Sequence, residues 1–218
     1  MKAKLRKAGL LITAAVWILS LSGCIEYREE ISLNKDGSGT LAFDLGLPQH
    51  TSIDEEEINE LSIVSLCDSV EGVQVINSST YEVDEITWIH VDAEFDDVVL
   101  LNDIRNEWFG KIYLKEDDKG DYVFERMISM SDTVSTDFSK FGRTLKYAFL
   151  GQYSWIYTVH FPTELLGSNA PLMRTDTLSN TVTWEYNLAS LINEEKVMRA
   201  RYRRPKGIGY FFRNLFAR

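Results

Sequence analysis

The residues of this sequence with the most reactive side chains near neutral pH are few: two cysteines, Cys24 and Cys67, and three histidines, His50, His90 and His160. Cys24 follows Leu21-Ser22-Gly23. The two small residues before it suit a peptidase pocket, and a cysteine thiolate is the nucleophile that a thioether needs. Cys67 falls in line with Ile58, Leu61 and Val64 at helical spacing, which reads as a small buried hydrophobe. His90, Asp92 and Glu94 alternate with Ile89, Val91, Ala93 and Phe95. Such a row carries groups for cation binding or acid–base work, but this alternation marks the wet face of a half-covered sheet. Asn34 and Asp36 offer oxygens as a calcium loop does; the other ligand positions of such a loop are missing, and Asp36-Gly37 reads as a hairpin turn in which Gly37 and Gly39 take positive φ. Gly-x-Ser-x-Gly, His-Glu-x-x-His, a glycine-rich phosphate loop and paired zinc cysteines are all absent. The expectation is a chain with no catalytic residues, no metal and no cofactor. A hydrolase would need the fold to bring His90 or His160 beside a serine or aspartate in a cleft.

The segments that must position these residues are a leader and one domain. Lys2, Lys4, Arg6 and Lys7 precede an apolar run of 14 residues, Ala8 to Leu21. That is the length of a signal-peptide core and short of the roughly 20 residues a transmembrane helix needs. Residues 1–23 therefore read as a cleaved signal peptide, 24–204 as one domain and 205–218 as a basic aromatic tail. Strand patterns recur at 26–33, 40–47, 73–76, 81–95, 111–116, 122–130, 153–161, 181–188 and 196–203. Helical patterns run over Ser52 to Ser69, with Ser52 and Glu55 as a capping pair, over Asp97 to Trp108, and over Ser135 to Leu150. Thr163 to Pro171 has loop composition. Hairpins interrupted by helices imply an α+β fold, a mostly antiparallel sheet of hairpins with two or three packed helices behind a lipoprotein signal peptide.

Two resemblances add to this. Leu21-Ser22-Gly23-Cys24 resembles the lipobox of bacterial lipoproteins, which implies a diacylglyceryl thioether on Cys24, cleavage after Gly23 and acylation, commonly palmitate, of the new amino terminus. Two or three acyl chains hold a protein stably at a membrane where one does not. Val159-His160-Phe161-Pro162-Thr163-Glu164-Leu165-Leu166-Gly167-Ser168-Asn169-Ala170, followed by Asn180-Thr181-Val182-Thr183-Trp184, resembles the LppM-type lipoprotein domain. That resemblance implies an α+β domain of the cell envelope that binds lipid or glycolipid without catalysis. Many relatives of that type close with a transmembrane helix after a basic stretch, whereas here the sequence ends at Arg218. Ile25 rather than aspartate after the cysteine points to the outer membrane of a two-membrane cell, with the cell membrane as the alternative, on the extracytoplasmic or periplasmic side.

Charge separates the two ends of the domain. Between Ile25 and Glu195 there are 11 basic and 33 acidic residues, a net charge of −22. Phosphate repels such a body, so nucleic acid is not an expected partner. From Lys196 onward there are eight basic residues and no acidic one. Arg203, Arg204, Lys206, Phe211, Phe212, Arg213, Leu215 and Phe216 are the candidates for contact with a membrane surface, because an aromatic face edged by arginine lies flat among headgroups. The expected partners are thus the membrane through Cys24 and a lipid or glycolipid ligand. The alternative is an interaction or assembly lipoprotein docking another envelope protein through an exposed face.

Overall fold

The computed structural model describes residues 26–48, 59–104, 110–128, 154–171, 174–187, 190–191 and 194–204. Eleven strands are described: β1 (Glu26–Leu33), β2 (Gly39–Pro48), β3 (Val73–Val83), β4 (Ile86–Phe95), β5 (Lys111–Glu116), β6 (Tyr122–Ile128), β7 (Ser154–His160), β8 (Leu165–Ser168), β9 (Thr175–Asp176), β10 (Thr181–Asn187) and β11 (Lys196–Tyr202). They form a seven-stranded sheet, β3-β4-β2-β1-β7-β10-β9, and a four-stranded sheet, β5-β6-β11-β8. Every described pairing is antiparallel except β1 with β7. The fold is α+β with largely antiparallel sheets, as the hairpin pattern predicts.

Period-two burial explains why these sequences are strands. Tyr27, Glu29, Ile31 and Leu33 are buried on β1, as are Leu41, Phe43 and Leu45 on β2 and Ile89, Val91, Ala93 and Phe95 on β4. The second sheet contributes Tyr122, Phe124, Arg126 and Ile128 from β6 and Met198, Ala200 and Tyr202 from β11. These side chains meet in one core, which ring contacts tie together: Phe124 lies 5.8 Å from Phe161, and Phe161 4.9 Å from Tyr202. A short helix, α1 (Glu60–Asp68), contributes Ile63 and Cys67 to the same core.

Several expectations are corrected by local chemistry. A single helix from Ser52 to Ser69 is ruled out by Asn59, whose extended backbone (φ −139°) caps the helix Glu60–Asp68 with its side chain on the Ser62 N–H. Ser52 and Glu55 lie outside the described residues. Leu61 points outward, 80% exposed, and the buried stripe is set by Ile63 and Cys67 instead. The segment from Asp97 is not an α-helix but a short 3-10 helix (Val98–Asp103) that ends where Ile104 turns extended. Strand β3 is continuous from Val73 to Val83 because a bulge expels Ile76 and keeps both halves in register with β4. Leu165–Ser168, of loop composition, is an edge strand on β11. Gly37 has the positive φ its turn requires, but Gly39 does not; it is needed for space. The helix expected over Ser135 to Leu150 lies outside the described residues.

Candidate functional site

The outward face of the seven-stranded sheet carries the titratable residues. His90 on β4 lies opposite Asp44 on β2 and two positions from Asp92 on its own strand. Its Nδ1 is 2.8 Å from Asp44 Oδ1 and its Nε2 3.0 Å from Asp92 Oδ2, and Asn77 donates to the same Asp92 oxygen at 3.2 Å. Partial burial pulls the imidazole pKa down, but the two carboxylate hydrogen bonds and charges outweigh it, so the pKa stands above its ordinary 6.5. A histidine raised in the folded state stabilises the fold fully below its unfolded pKa near 6.5, and that contribution fades as pH rises through the folded value. His90→Gln should therefore narrow its stability deficit relative to the parent between pH 6 and pH 9 in urea titrations at each pH. A deficit that stays constant or widens would mean that the imidazole is not held charged.

A second constellation joins three strands. His160 on β7 places Nδ1 2.9 Å from Thr181 Oγ1 on β10 and Nε2 2.9 Å from Glu30 Oε1 on β1. Hydroxyl, imidazole and carboxylate have the connectivity of a catalytic trio. They lie on a flat strand surface, however, with Glu30 59% exposed, where the arrangement serves as a cross-strand ladder beside the Thr158–Thr183 contact of 3.1 Å. The sequence offers no hint of it, since Glu30 and His160 are 130 positions apart.

One corner of the same face is aromatic. Tyr81 on β3 stacks on Trp88 on β4 at 6.5 Å, and the Arg28 guanidinium lies over the Trp88 ring at 5.3 Å. Trp88 lies against Gly46, where a Cβ would come within 3.0 Å of the indole. Val83 and Ile86 close the β3–β4 hairpin next to it, across a turn whose Asp84 and Glu85 both have positive φ.

Between the sheets lies a buried ion pair that the sequence analysis did not single out. Arg126 on β6 reaches across to Glu29 on β1 with both terminal nitrogens, Nη2 at 2.9 Å from Oε2, and the two side chains are each 1% exposed. Tyr27 donates to Glu29 Oε2 at 2.6 Å, and the guanidinium faces the Tyr157 ring at 4.7 Å. The visible signal was a charge at an inward position of each strand.

Of the residues expected to act at a membrane, Arg203 and Arg204 are described. Arg203 pairs with Glu164 at 2.8 Å and Arg204 with Glu116 at 3.1 Å. Upstream on β11, Lys196, Arg199 and Arg201 pair with Glu194, Glu125 and Asp117. Much of the basic run thus neutralises carboxylates of its own domain. Cys24, Lys206, Phe211, Phe212, Arg213, Leu215 and Phe216 lie outside the described residues. Burial, aided by the Asp68 charge, pushes the Cys67 thiol pKa up to about 11, so it is an inert core residue. Among the described residues no group of three or more His, Cys, Asp or Glu side chains is placed to hold a metal ion, and no helix is long and apolar enough to cross a membrane.

No family model matches the chain. In sequence it is similar to the DNA-directed RNA polymerase subunit Rpo7 of Saccharolobus shibatae, 26% identical over 133 residues, which cover 58% of this chain and 71% of that protein. The Rpo7 subunit of Saccharolobus solfataricus matches over the same length at 25%. In structure the chain is similar to the folded domain of Mycobacterium tuberculosis LppM, solved by NMR, with a TM-score of 0.51 and 14% sequence identity over 84% of this chain and 91% of that one. The fold is LppM-like.

Proposed function

We propose that this chain is a membrane-anchored lipoprotein of the bacterial cell envelope and a non-catalytic module that binds lipid or glycolipid. The observation that carries the reading is the LppM-like fold over most of the chain, joined to a leader whose charge, length and Leu-Ser-Gly-Cys end agree on Cys24 as the lipidated residue. A role on nucleic acid, which the likeness to a polymerase subunit raises, is disfavoured by the net charge of −22 between Ile25 and Glu195. Expressed in a bacterial host, the parent chain should incorporate labelled palmitate and fractionate with membranes, and Cys24→Ser should do neither. Native mass spectrometry of the Cys24→Ser domain should then show a co-purified lipid that is lost on extraction. A bare mass from a folded domain would shift the reading to a protein-docking lipoprotein.

The topology adds a constraint on orientation. Strand β1 starts two residues after Cys24 and runs parallel to β7, with Glu26 opposite Ser154 and Ser32 opposite His160. The last described residues lie at the other end, where the Arg203 N–H donates to the Glu164 carbonyl at 2.8 Å. The two ends are therefore about 20 Å or more apart along the strands. The 14 residues from 205 to 218 span more than that distance when extended, so the tail has the reach to return to the surface holding the anchor. Removal of Gly207 to Arg218 from the Cys24→Ser protein should weaken binding to anionic vesicles by about tenfold or more, since each basic residue near such a surface contributes on the order of 1 kcal/mol. Sedimentation with phosphatidylglycerol vesicles at two salt concentrations checks it, and unchanged binding would leave the tail without a membrane role.

A further inference from the structure

The aromatic corner of the outward face lies where the chain emerges from its anchor. Glu26 sits opposite Gly46, and Gly46 opposite Trp88, so the three positions form one row across β1, β2 and β4. Adjacent strands are about 4.8 Å apart, which puts Trp88 roughly 10 Å from the first residue of β1. Cys24 precedes Glu26 by two residues, at most about 7 Å of chain. Tyr81 and Val83 are 43% and 49% exposed in this corner, although tyrosine and valine on a strand of this length ordinarily find cover.

We propose that the Arg28, Tyr81, Val83, Ile86 and Trp88 corner rests in the headgroup layer of the membrane that carries Cys24. The inference rests on the anchored reading above. Its chemistry suits a bilayer boundary: an indole and a phenol offer an apolar body with a polar tip, and the Arg28 guanidinium lies over the indole, paired with Glu26 at 2.6 Å and with its side chain still 55% exposed towards a phosphate. Gly46 helps to keep the surface flat, because a Cβ there would come within 3.0–3.1 Å of the indole and of Ile86 and crowd Trp88 away from the sheet. The contact is bounded. Towards the middle of the face come Asp44, His90 and Asp92, and Asp84 and Glu85 form the hairpin tip, so carboxylates rim the corner and stay in water. The domain then leans on this corner of its outward face, with the Asp84–Glu85 tip on one side of the contact and the Asp44, His90 and Asp92 row on the other.

The test uses the full lipidated chain in vesicles of phosphatidylcholine brominated high on the acyl chains, a quencher of nearby indoles. Fluorescence of the parent should be quenched on reconstitution, and Trp88→Phe should lose most of that quenching. Val83→Glu, at an exposed strand end where folding is not at risk, should reduce the quenching while leaving the protein attached. If the chain floats with the vesicles and carries the lipid mass, but Trp88→Phe is quenched as much as the parent, the corner faces away from the bilayer and the proposal is overturned while the anchor stands. If the chain carries no lipid and does not float, the anchored reading fails first and this inference falls with it.

Discussion

Arg126→Met should cost the fold about 3–5 kcal/mol, because it removes the cation paired with Glu29 and leaves a carboxylate between two sheets. The pair is bidentate, 1% exposed on both sides, and bridges β1 of the larger sheet to β6 of the smaller. Domains of this size have on the order of 5–15 kcal/mol in total, so the single variant should sit at the edge of unfolding and expose apolar surface. The comparison that separates the charge from the packing is Glu29→Leu/Arg126→Met. Removing both charges eliminates the stranded one and should recover most of the loss. Recovery stays incomplete because the Tyr27 hydroxyl, which donates to Glu29 at 2.6 Å, then has no acceptor. Adding Tyr27→Phe should close that remaining gap. Urea denaturation of the four proteins gives the ordering directly. A double variant as unstable as Arg126→Met would show that the cost came from lost volume and from the Tyr157 face beneath the guanidinium, not from a stranded charge.

The same pair shows where the sequence was legible and where it was not. Strand patterning identified β1, β2, β4, β6, β10 and β11 and the inward face of β4, because burial on a two-sided sheet writes itself into residue order. It said nothing about which strands are neighbours. The parallel union of β1 with β7 joins residues more than a hundred positions apart, and no local pattern encodes such a pairing. For that reason the Glu30–His160–Thr181 ladder, the Asp44–His90 contact and the Glu29–Arg126 pair were all invisible. Each is assembled by sheet order, while its members look like ordinary surface charges or an isolated inward charge. The aromatic corner escaped for the same cause, since Tyr81 and Trp88 read separately as strand residues and only the row through Gly46 sets them beside the chain's starting end. The short helices erred in the opposite direction. Asn59 is a strong local cap inside a periodic apolar pattern that runs across it, and after Asp97, where the expected helix does begin, the chain forms only a 3-10 helix that ends as Ile104 turns extended. The basic C-terminal run was legible as charge but not as destination, because the carboxylates that pair with Arg199, Arg201, Arg203 and Arg204 arrive from β5, β6, the turn between them and the segment between β7 and β8.

Gly39→Ala should destabilise the domain by about 3 kcal/mol, more than Gly37→Ala in the turn beside it, where forcing a side chain into positive φ costs about 1–2 kcal/mol. Gly37 has φ of 89°, the positive φ that the turn sequence leads one to expect of both glycines. Gly39 has no such backbone demand. It opens β2 opposite both Leu33 and Phe95, and a Cβ there would stand 2.1 Å from the Ser32 carbonyl oxygen and 2.7 Å from Phe95 Cζ. A side chain can rotate away, but a backbone carbonyl in mid-sheet cannot. Ser32 is held from its other side by pairing with His160, so relief requires β1 to part from β2 or from β7. Phe95 meanwhile is 3% exposed in the core and has no empty space to swing into. The damage should therefore be central rather than local, with hydrogen exchange accelerated in β1 and β7 together, whereas Gly37→Ala should loosen only the turn. Equal stability of Gly39→Ala and the parent would mean that β1 has slack at this point. In that case the register fixing Glu26, Gly46 and Trp88 in one row would be softer than the proposed membrane contact requires.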